Sequence, residues 1–288
     1  MLISFFSILL VAGLVFLFIR MAAVFKTKPV DYTASPADFG LPYQRVRIPT
    51  ENNLSLHGWW IAGNPGAGKP ALILLHGWRR NAERMMPYIG KLHKDYNLLV
   101  FDARNHGKSD TDTFSSMPRF AADILAVTDF IEREYHGQYS GHIGIIGLSM
   151  GGAAAIYAAS RDNRLRAVVT VGAFANPGEV MRLEYKKRHI PYFPMVWLVF
   201  EYFQYHMKAR FNDFAPEKHI GKADATFLIV HGKEDLTAPF SHGERLHAAA
   251  PEGRAQLLAI EGAGHSDCHT FEVFWPAVER FLGEALKG

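Results

Sequence analysis

The chain has 288 residues, of which 49% are hydrophobic, and its formal net charge is +3 at pH 7. This length allows one large domain with an insertion, or two small domains. So small an excess of positive charge, without any RNA- or DNA-binding motif, argues against a nucleic-acid partner. The single cysteine, Cys268, excludes an intrachain disulfide and fits a reducing compartment.

The first 19 residues are apolar almost throughout, and at 1.5 Å per residue they would span about 28 Å as a helix. Positive charge follows this segment, at Arg20, Lys26 and Lys28, and none precedes it. This order favours an uncleaved anchor over a signal peptide, and a cytoplasmic position for the rest of the chain. The sequence therefore predicts a single-pass transmembrane helix over residues 1–25, a linker over 26–42 and a cytoplasmic domain over 43–288.

Strand-like and helix-like stretches alternate through this domain. Residues 43–48 alternate polar and apolar side chains, and a turn separates them from residues 54–61, which predicts an antiparallel hairpin. Continuous apolar runs, typical of parallel strands buried on both faces, cover residues 71–75, 97–101, 142–146, 167–171, 226–230 and 256–260. Helical stretches are expected over residues 82–95, 119–135, 153–159 and 271–286. The fold class is therefore α/β, with a mostly parallel sheet covered by helices on both faces.

Residues 173–223 interrupt this alternation with a segment rich in aromatic and basic side chains. It is too long for an ordinary loop, which predicts an inserted helical cap. Trp197, Phe200 and Phe203 are candidates for the lining of an apolar acyl pocket, and some cap aromatics could meet a membrane surface. The alternative is that these rings only pack the cap onto the sheet.

A serine lies between a buried apolar run and a helix-favouring stretch, in the sequence Gly-Leu-Ser-Met-Gly-Gly at residues 147–152. This pattern is typical of a nucleophile elbow, in which glycines allow the strand and helix backbones to approach closely. The helix that follows would direct its N-terminal N–H groups towards the atoms that Ser149 attacks. A glycine-rich connection with an incidental serine is the alternative.

A serine hydroxyl needs a base that takes its proton, and the base needs a third group that orients it. Asp235 and His265 follow the last two predicted strands, and active groups gather at the carboxyl ends of such strands. Glu234 and His269 are weaker alternatives for the acid and the base.

The sequence His-Ser-Asp-Cys-His at residues 265–269 contains metal-ligating residue types. No second cluster with recognisable ligand spacing accompanies it, so we predict no metal site and no cofactor. Asp102, which precedes the serine in the chain, is interpreted as structural, as are His76 and His106.

The order serine, aspartate, histidine is that of α/β-hydrolases. The chain resembles this superfamily from about residue 43 to its end, except for the cap, through the motifs at residues 76–77, 102–109, 147–152, 231–239 and 264–265. The resemblance implies that Ser149 is the nucleophile, His265 the general base and Asp235 the carboxylate that orients it. It also implies an oxyanion hole formed by the backbone N–H groups of Trp78 and Met150.

These features together predict a membrane-anchored serine hydrolase that cleaves carboxylic esters of small molecules, with acyl or lipid-like esters as plausible substrates. The same three residues would serve a thioesterase, a serine peptidase or an acyltransferase. A serine at the elbow argues against epoxide hydrolases and haloalkane dehalogenases, which use carboxylate nucleophiles. A non-catalytic binding protein that keeps the fold is the alternative from a different class.

Overall fold

The computed structural model describes residues 30–63 and 68–287, together with residues 12, 13, 15, 16, 18 and 19. Most of the predicted anchor at 1–25 therefore lies outside the described residues. Within the part of the chain that is described, no helix has the length and apolar character needed to cross a membrane. The predictions of a transmembrane helix and of a membrane localisation are corrected on this finding, because they rested on the apolar composition, the length and the flanking charges of the segment.

One eight-stranded sheet forms the centre of the described structure, in the order β1-β2-β4-β3-β5-β6-β7-β8. Its strands are β1 (Gln44–Thr50), β2 (Leu54–Ile61), β3 (Ala71–Leu75), β4 (Asn97–Phe101), β5 (Ile143–Leu148), β6 (Leu165–Val171), β7 (Thr226–Gly232) and β8 (Ala255–Ile260). β1 and β2 pair antiparallel, as do β2 and β4, and the remaining pairs are parallel. The predicted hairpin and the predicted mostly parallel sheet are both confirmed.

Helices cover both faces of this sheet, so the residues of β3, β4 and β5 are buried throughout. The helices are α1 (Met86–Leu92), α2 (Met117–Glu134), α3 (Met150–Ala159), α4 (Pro177–Lys187), α5 (Trp197–Met207), α6 (Ser241–Ala249) and α7 (Phe274–Ala285). The helix predicted over residues 82–95 is shorter than expected, because its first turn, Ala82–Met85, is a 3-10 helix. α6, a short helix between β7 and β8, was not predicted from the sequence.

The cap lies between β6 and β7 and contains α4, α5 and several short 3-10 turns. Arg245 of α6 attaches it to the body of the domain through ion pairs with Glu179 at the start of α4 and with Glu217. The second of these pairs has an N–O distance of 2.7 Å. The predicted helical insertion is therefore present, and its first helix is held in place beside the sheet.

Residues 30–42, predicted as part of a linker, pack against the domain. The Tyr32 hydroxyl donates a hydrogen bond to the buried carboxylate of Asp102. The Asn81 side chain donates to the carbonyl of Val30 at 2.9 Å, and Pro36–Phe39 form a 3-10 turn. The described part of the predicted linker is thus structured, because it supplies polar partners to groups buried at the edge of the sheet.

Candidate active site

Ser149 stands at the sharp turn between β5 and α3. Its backbone has φ 52° and ψ −116°, a strained conformation for a residue with a side chain, and its N–H donates to the Val171 carbonyl at 2.8 Å. A Cβ atom at Gly147 would lie 2.4 Å from the Gly151 carbonyl oxygen, a distance that sterics forbid. The glycines of the motif are therefore required by the close approach of strand and helix.

Three side chains from three loops form a continuous chain of hydrogen bonds at the carboxyl edge of the sheet. The His265 Nε2 atom lies 2.9 Å from Ser149 Oγ, and the His265 Nδ1 atom lies 2.7 Å from Asp235 Oδ2. These loops follow β5, β7 and β8. The structure thus brings together all three side chains that the sequence singled out, in the geometry of a serine, a base and an orienting acid.

The Asp235 carboxylate is buried, and both of its oxygens accept hydrogen bonds. Its Oδ1 accepts hydrogen bonds from the backbone N–H groups of Thr237 at 2.8 Å and Ala238 at 2.9 Å. Burial opposes ionisation, but hydrogen bonds from His231 and His265 outweigh it and hold the pKa of Asp235 below its usual range. The carboxylate is therefore ionised at neutral pH and accepts a hydrogen bond from the Nδ1–H of His265.

His231 is a further partner of Asp235 that was not predicted from the sequence. Its imidazole is buried, and its Nε2 lies 3.4 Å from Asp235 Oδ2 and 2.7 Å from the Ala238 carbonyl oxygen, to which it donates. The only indication of this contact in the sequence is that His231 and Asp235 belong to the same motif, at residues 231–239.

The alternative acid and base lie elsewhere. Glu234 is exposed, and the ring of His269 packs beside that of Tyr88 at 5.8 Å. Cys268 is buried, and burial raises the pKa of its thiol to about 12, which disfavours the thiolate that metals bind. Among the residues that the structure describes, no three His, Cys, Asp or Glu side chains group together as a metal site.

The two predicted oxyanion donors flank Ser149. Met150 is the first residue of α3, where backbone N–H groups have no partner within the helix. Trp78 belongs to the loop after β3, and a Cβ atom on the preceding Gly77 would lie 3.2 Å from the Ser149 Cβ. Trp78 and Met150 both line a cavity together with Ser149. That the two N–H groups bind an oxyanion stays a prediction.

Two buried histidines hold the loop that carries Trp78. The Nδ1–H of His76 donates to the Gly77 carbonyl at 2.7 Å, and its Nε2 accepts from the Ala103 N–H at 3.1 Å. His106 Nε2 accepts from the Arg79 N–H at 3.2 Å. Burial lowers the pKa of both imidazoles, that of His106 to about 3, so both are neutral at pH 7 and their structural interpretation fits.

Two cavities meet at Ser149 and share Trp78, Thr237 and His265. The first, of about 250 Å³, has a mostly apolar lining. Most of its apolar side chains come from α3, from the start of the cap and from α4, namely Met150, Phe174, Val180, Met181 and Tyr185, and the loops after β3 and β7 add Trp78 and Ala238. The second, of about 240 Å³, is bordered by Arg80 and Arg84.

The structure does not place the predicted pocket aromatics in either cavity. Phe200 and Phe203 are buried in the hydrophobic core, and Trp197 is 40% exposed and packs near Phe193. Phe200 and Phe203 therefore follow the alternative of packing, and α4 supplies the cap helix residues that line the first cavity. Aromatic content alone did not distinguish the two cap helices.

Comparison with known proteins gives related sequences and structures. The chain is 24% identical to the uncharacterised protein YfhR of Escherichia coli K12 in an alignment of 303 positions, which covers 98% of this chain and 94% of that protein. It is 31% identical to the thiohydrolase aneE of Aspergillus aculeatus over 137 residues, 45% of this chain and 41% of that protein.

Among solved structures, the esterase Pf2001 of Pyrococcus furiosus matches 91% of this chain and 100% of its own, with a TM-score of 0.73 and 24% identity. A second structure of that esterase gives 26% identity and a TM-score of 0.69, over 91% of this chain and 97% of its own. The family model described as alpha/beta hydrolase matches residues 72–274, well over half of the sequence. The chain belongs to the alpha/beta hydrolase family.

Proposed function

We propose that this protein is a serine hydrolase that cleaves carboxylic esters of small molecules through an acyl-enzyme on Ser149. The observation that carries the proposal is the continuous hydrogen-bonded chain from Ser149 through His265 to the ionised Asp235. A hydroxyl in this arrangement can lose its proton to the imidazole while it attacks a carbonyl carbon.

The proposed reaction has two halves. In the first, Ser149 Oγ bonds to the ester carbonyl carbon, and its proton passes to His265 Nε2. The carbonyl oxygen becomes an oxyanion, to which the N–H groups of Trp78 and Met150 would donate; such donors typically contribute about 3–4 kcal/mol of transition-state stabilisation. The bond to the alkoxy oxygen then breaks, and that oxygen takes the proton from His265.

In the second half, a water molecule gives its proton to His265 Nε2 while its oxygen attacks the acyl carbon. Collapse of this intermediate breaks the bond to Ser149 Oγ, which recovers its proton, and the carboxylic acid leaves. Asp235 stays ionised throughout, because it holds the Nδ1–H of His265 and stabilises the imidazolium that forms in each half.

The apolar cavity supports an ester with an apolar arm as substrate. Phe174 and Met181 line it beside Ser149, so a hydrocarbon chain bonded to the scissile carbonyl would be removed from water there. The similarity to an esterase of 26% identity supports the same reaction class.

Cleavage of thioesters is a second candidate, favoured by the similarity to a thiohydrolase over 45% of the chain. The same residues would act, and a thiolate would leave in place of an alkoxide. A panel of oxygen esters and thioesters with the same acyl groups compares the two reactions directly.

Labelling with a fluorophosphonate probe tests the proposal, since the probe reacts with an activated serine whatever the substrate. We expect the full chain to be labelled and Ser149→Ala to be unlabelled. Ser160→Ala is the matched control, because Ser160 directly follows the helix that Met150 begins and its hydroxyl donates to the Tyr157 carbonyl. Labelling that persists in Ser149→Ala, or no labelling of folded wild type, would overturn the proposal.

A further inference from the structure

The two cavities that meet at Ser149 differ in their charged residues. The lining of the first cavity contains Arg79, Arg188 and one carboxylate, Glu184. Arg188 pairs with Glu184 at 2.8 Å, and apolar side chains form most of the remaining wall. The second cavity has two arginines, Arg80 and Arg84, and no aspartate or glutamate in its lining. The two arms of a substrate that lies across Ser149 would therefore enter different environments.

The arginines of the second cavity have little else to bind. The Arg84 guanidinium donates to the Ser266 carbonyl oxygen, which neutralises no charge, and Arg80 is exposed. In the part of the chain that the structure describes, neither side chain is in an ion pair. Burial lowers the pKa of nearby His269, and the positive charge of Arg84 lowers it further.

Two guanidinium groups beside a cavity without carboxylates favour an anionic ligand. Guanidinium groups bind carboxylates and phosphates through paired, charge-assisted hydrogen bonds. His265 and Ser149 border the same cavity. The anionic group held there would therefore belong to a substrate arm that is attached directly to the scissile bond. The opposite arm of the same molecule would reach Phe174 and Met181 in the first cavity.

We propose that the substrates are amphiphilic esters, with an apolar arm in the first cavity and an anionic group, carboxylate or phosphate, held by Arg80 and Arg84 in the second. This inference rests on the proposed function of Ser149. It names the substrate class of that site: esters that carry hydrocarbon on one side of the scissile bond and negative charge on the other.

Matched octanoyl esters test the proposal. The alcohol component carries a carboxylate (glycolate), a phosphate (2-hydroxyethyl phosphate), no charge (2-methoxyethanol) or a cation (choline), and kcat/KM is measured for each with the full chain. We expect kcat/KM for the better anionic ester to exceed that of the neutral ester by about 10- to 100-fold, with the choline ester lowest. The preferred anion, carboxylate or phosphate, identifies the natural group.

Variants then assign the preference to the two arginines. In Arg80→Gln and Arg84→Gln, the ratio of anionic to neutral kcat/KM falls, mainly through a higher KM for the anionic ester, and in the double variant it approaches one. Arg84→Gln also removes the hydrogen bond to the Ser266 carbonyl, beside His265, and could lower the rate for every ester. The ratio of anionic to neutral kcat/KM is therefore compared, and not the absolute rate. Arg84→Lys keeps the positive charge and restores part of this ratio. Arg166→Gln is the control, because Arg166 is exposed at the amino end of β6, the opposite edge of the sheet.

A wild-type ratio near one, or a ratio that Arg80→Gln and Arg84→Gln leave unchanged, would overturn the inference. Binding to Ser149→Ala, measured by calorimetry, separates this failure from that of the proposed hydrolase. Tighter binding of octanoyl glycolate than of the methoxyethyl ester supports the charged cavity even if wild type hydrolyses neither. Equal binding of the two rejects the charged cavity while leaving hydrolysis through Ser149 intact.

Discussion

Two buried carboxylates at strand ends invite comparison, Asp235 after β7 and Asp102 after β4. Each is fully buried and lies beside a histidine, His265 at 2.7 Å and His57 at 3.5 Å. Burial opposes the ionisation of both, yet hydrogen bonds, from His231 and His265 in one case and from His57 and other donors in the other, lower both pKa values. By charge and burial alone the two sites would look alike.

The difference lies in what the histidine reaches. His265 extends from Asp235 to Ser149 Oγ, and its side chain is 20% exposed at the cavities. His57 lies on β2 and shares Asp102 with the Tyr32 hydroxyl, 3.2 Å from its Nδ1. Asp102 also accepts hydrogen bonds from the backbone N–H groups of Ala82 and Lys108, and so connects the loop after β3 with the loop after β4. A carboxylate and a histidine indicate acid–base chemistry only where the imidazole also contacts a reacting group.

Replacing Asp235 with asparagine gives the largest expected effect. The amide oxygen can still accept from Thr237 and Ala238, but the neutral side chain neither stabilises the imidazolium of His265 nor holds its Nδ1–H. We expect kcat for ester hydrolysis, measured on the folded fraction, to fall by about 10⁴-fold. The melting temperature should also fall, because the hydrogen bonds that lower the pKa of Asp235 stabilise the folded state only while the carboxylate is present. Glu234→Gln, at the exposed neighbour, is the control and retains activity; a loss below tenfold in Asp235→Asn would contradict the assignment.

The corresponding change at Asp102 should act on stability instead. In wild type the Asp102 carboxylate accepts hydrogen bonds from several donors, including the N–H groups of Ala82 and Lys108. In Asp102→Asn the side-chain NH₂ would face some of these donors and could not accept their hydrogen bonds. We expect the free energy of unfolding to fall by about 2–4 kcal/mol in urea titrations. The folded fraction keeps its kcat. A variant of wild-type stability that has lost kcat would instead place Asp102 in the chemistry.

The smallest expected effect concerns His106, which burial keeps neutral down to a pKa of about 3. An unfolded histidine binds its proton near pH 6.5, so stability from the neutral imidazole is present above that pH and declines below it. Between pH 7 and pH 5 this group alone should remove about 2 kcal/mol from the free energy of unfolding. Urea titrations at pH 7 and pH 5 measure the decrease in the free energy of unfolding between the two pH values. This decrease should be about 2 kcal/mol smaller in His106→Gln than in wild type.

His136→Gln, at an exposed histidine, is the matched control and should leave the pH dependence as in wild type. An identical pH dependence in His106→Gln and wild type would mean that His106 takes up its proton without unfolding.

Much of the fold followed from local patterns. The buried runs at 71–75 and 97–101 coincide with β3 and β4, because strands covered on both faces exclude polar side chains. The motif around Ser149 was equally informative, since its glycines are imposed by contacts between adjacent segments. The chain order of Ser149, Asp235 and His265 added the family pattern, and the structure brings these side chains into contact.

What could not be predicted depends on contacts between distant segments. Nothing near Tyr32 in the sequence indicates that its hydroxyl binds a carboxylate 70 residues away, so residues 30–42 looked like a free linker. Phe200 and Phe203 were chosen by residue type, but only tertiary packing decides which cap helix faces Ser149. The apolar composition of residues 1–25 suggested a membrane helix that the described structure does not contain.

The position of the cap restricts how the protein can be altered. β6 and β7 are adjacent parallel strands, and the chain leaves one at the edge that carries Ser149 and enters the other at the opposite edge. Parallel neighbours require such a crossover, so the cap also serves as the only chain connection between them. Deletion of residues 173–223 would break the topology, whereas exchange for another segment that spans the sheet would keep it. Substrate preference in this architecture can therefore diverge by replacement of the crossover, while the strands that carry Ser149, Asp235 and His265 remain in register.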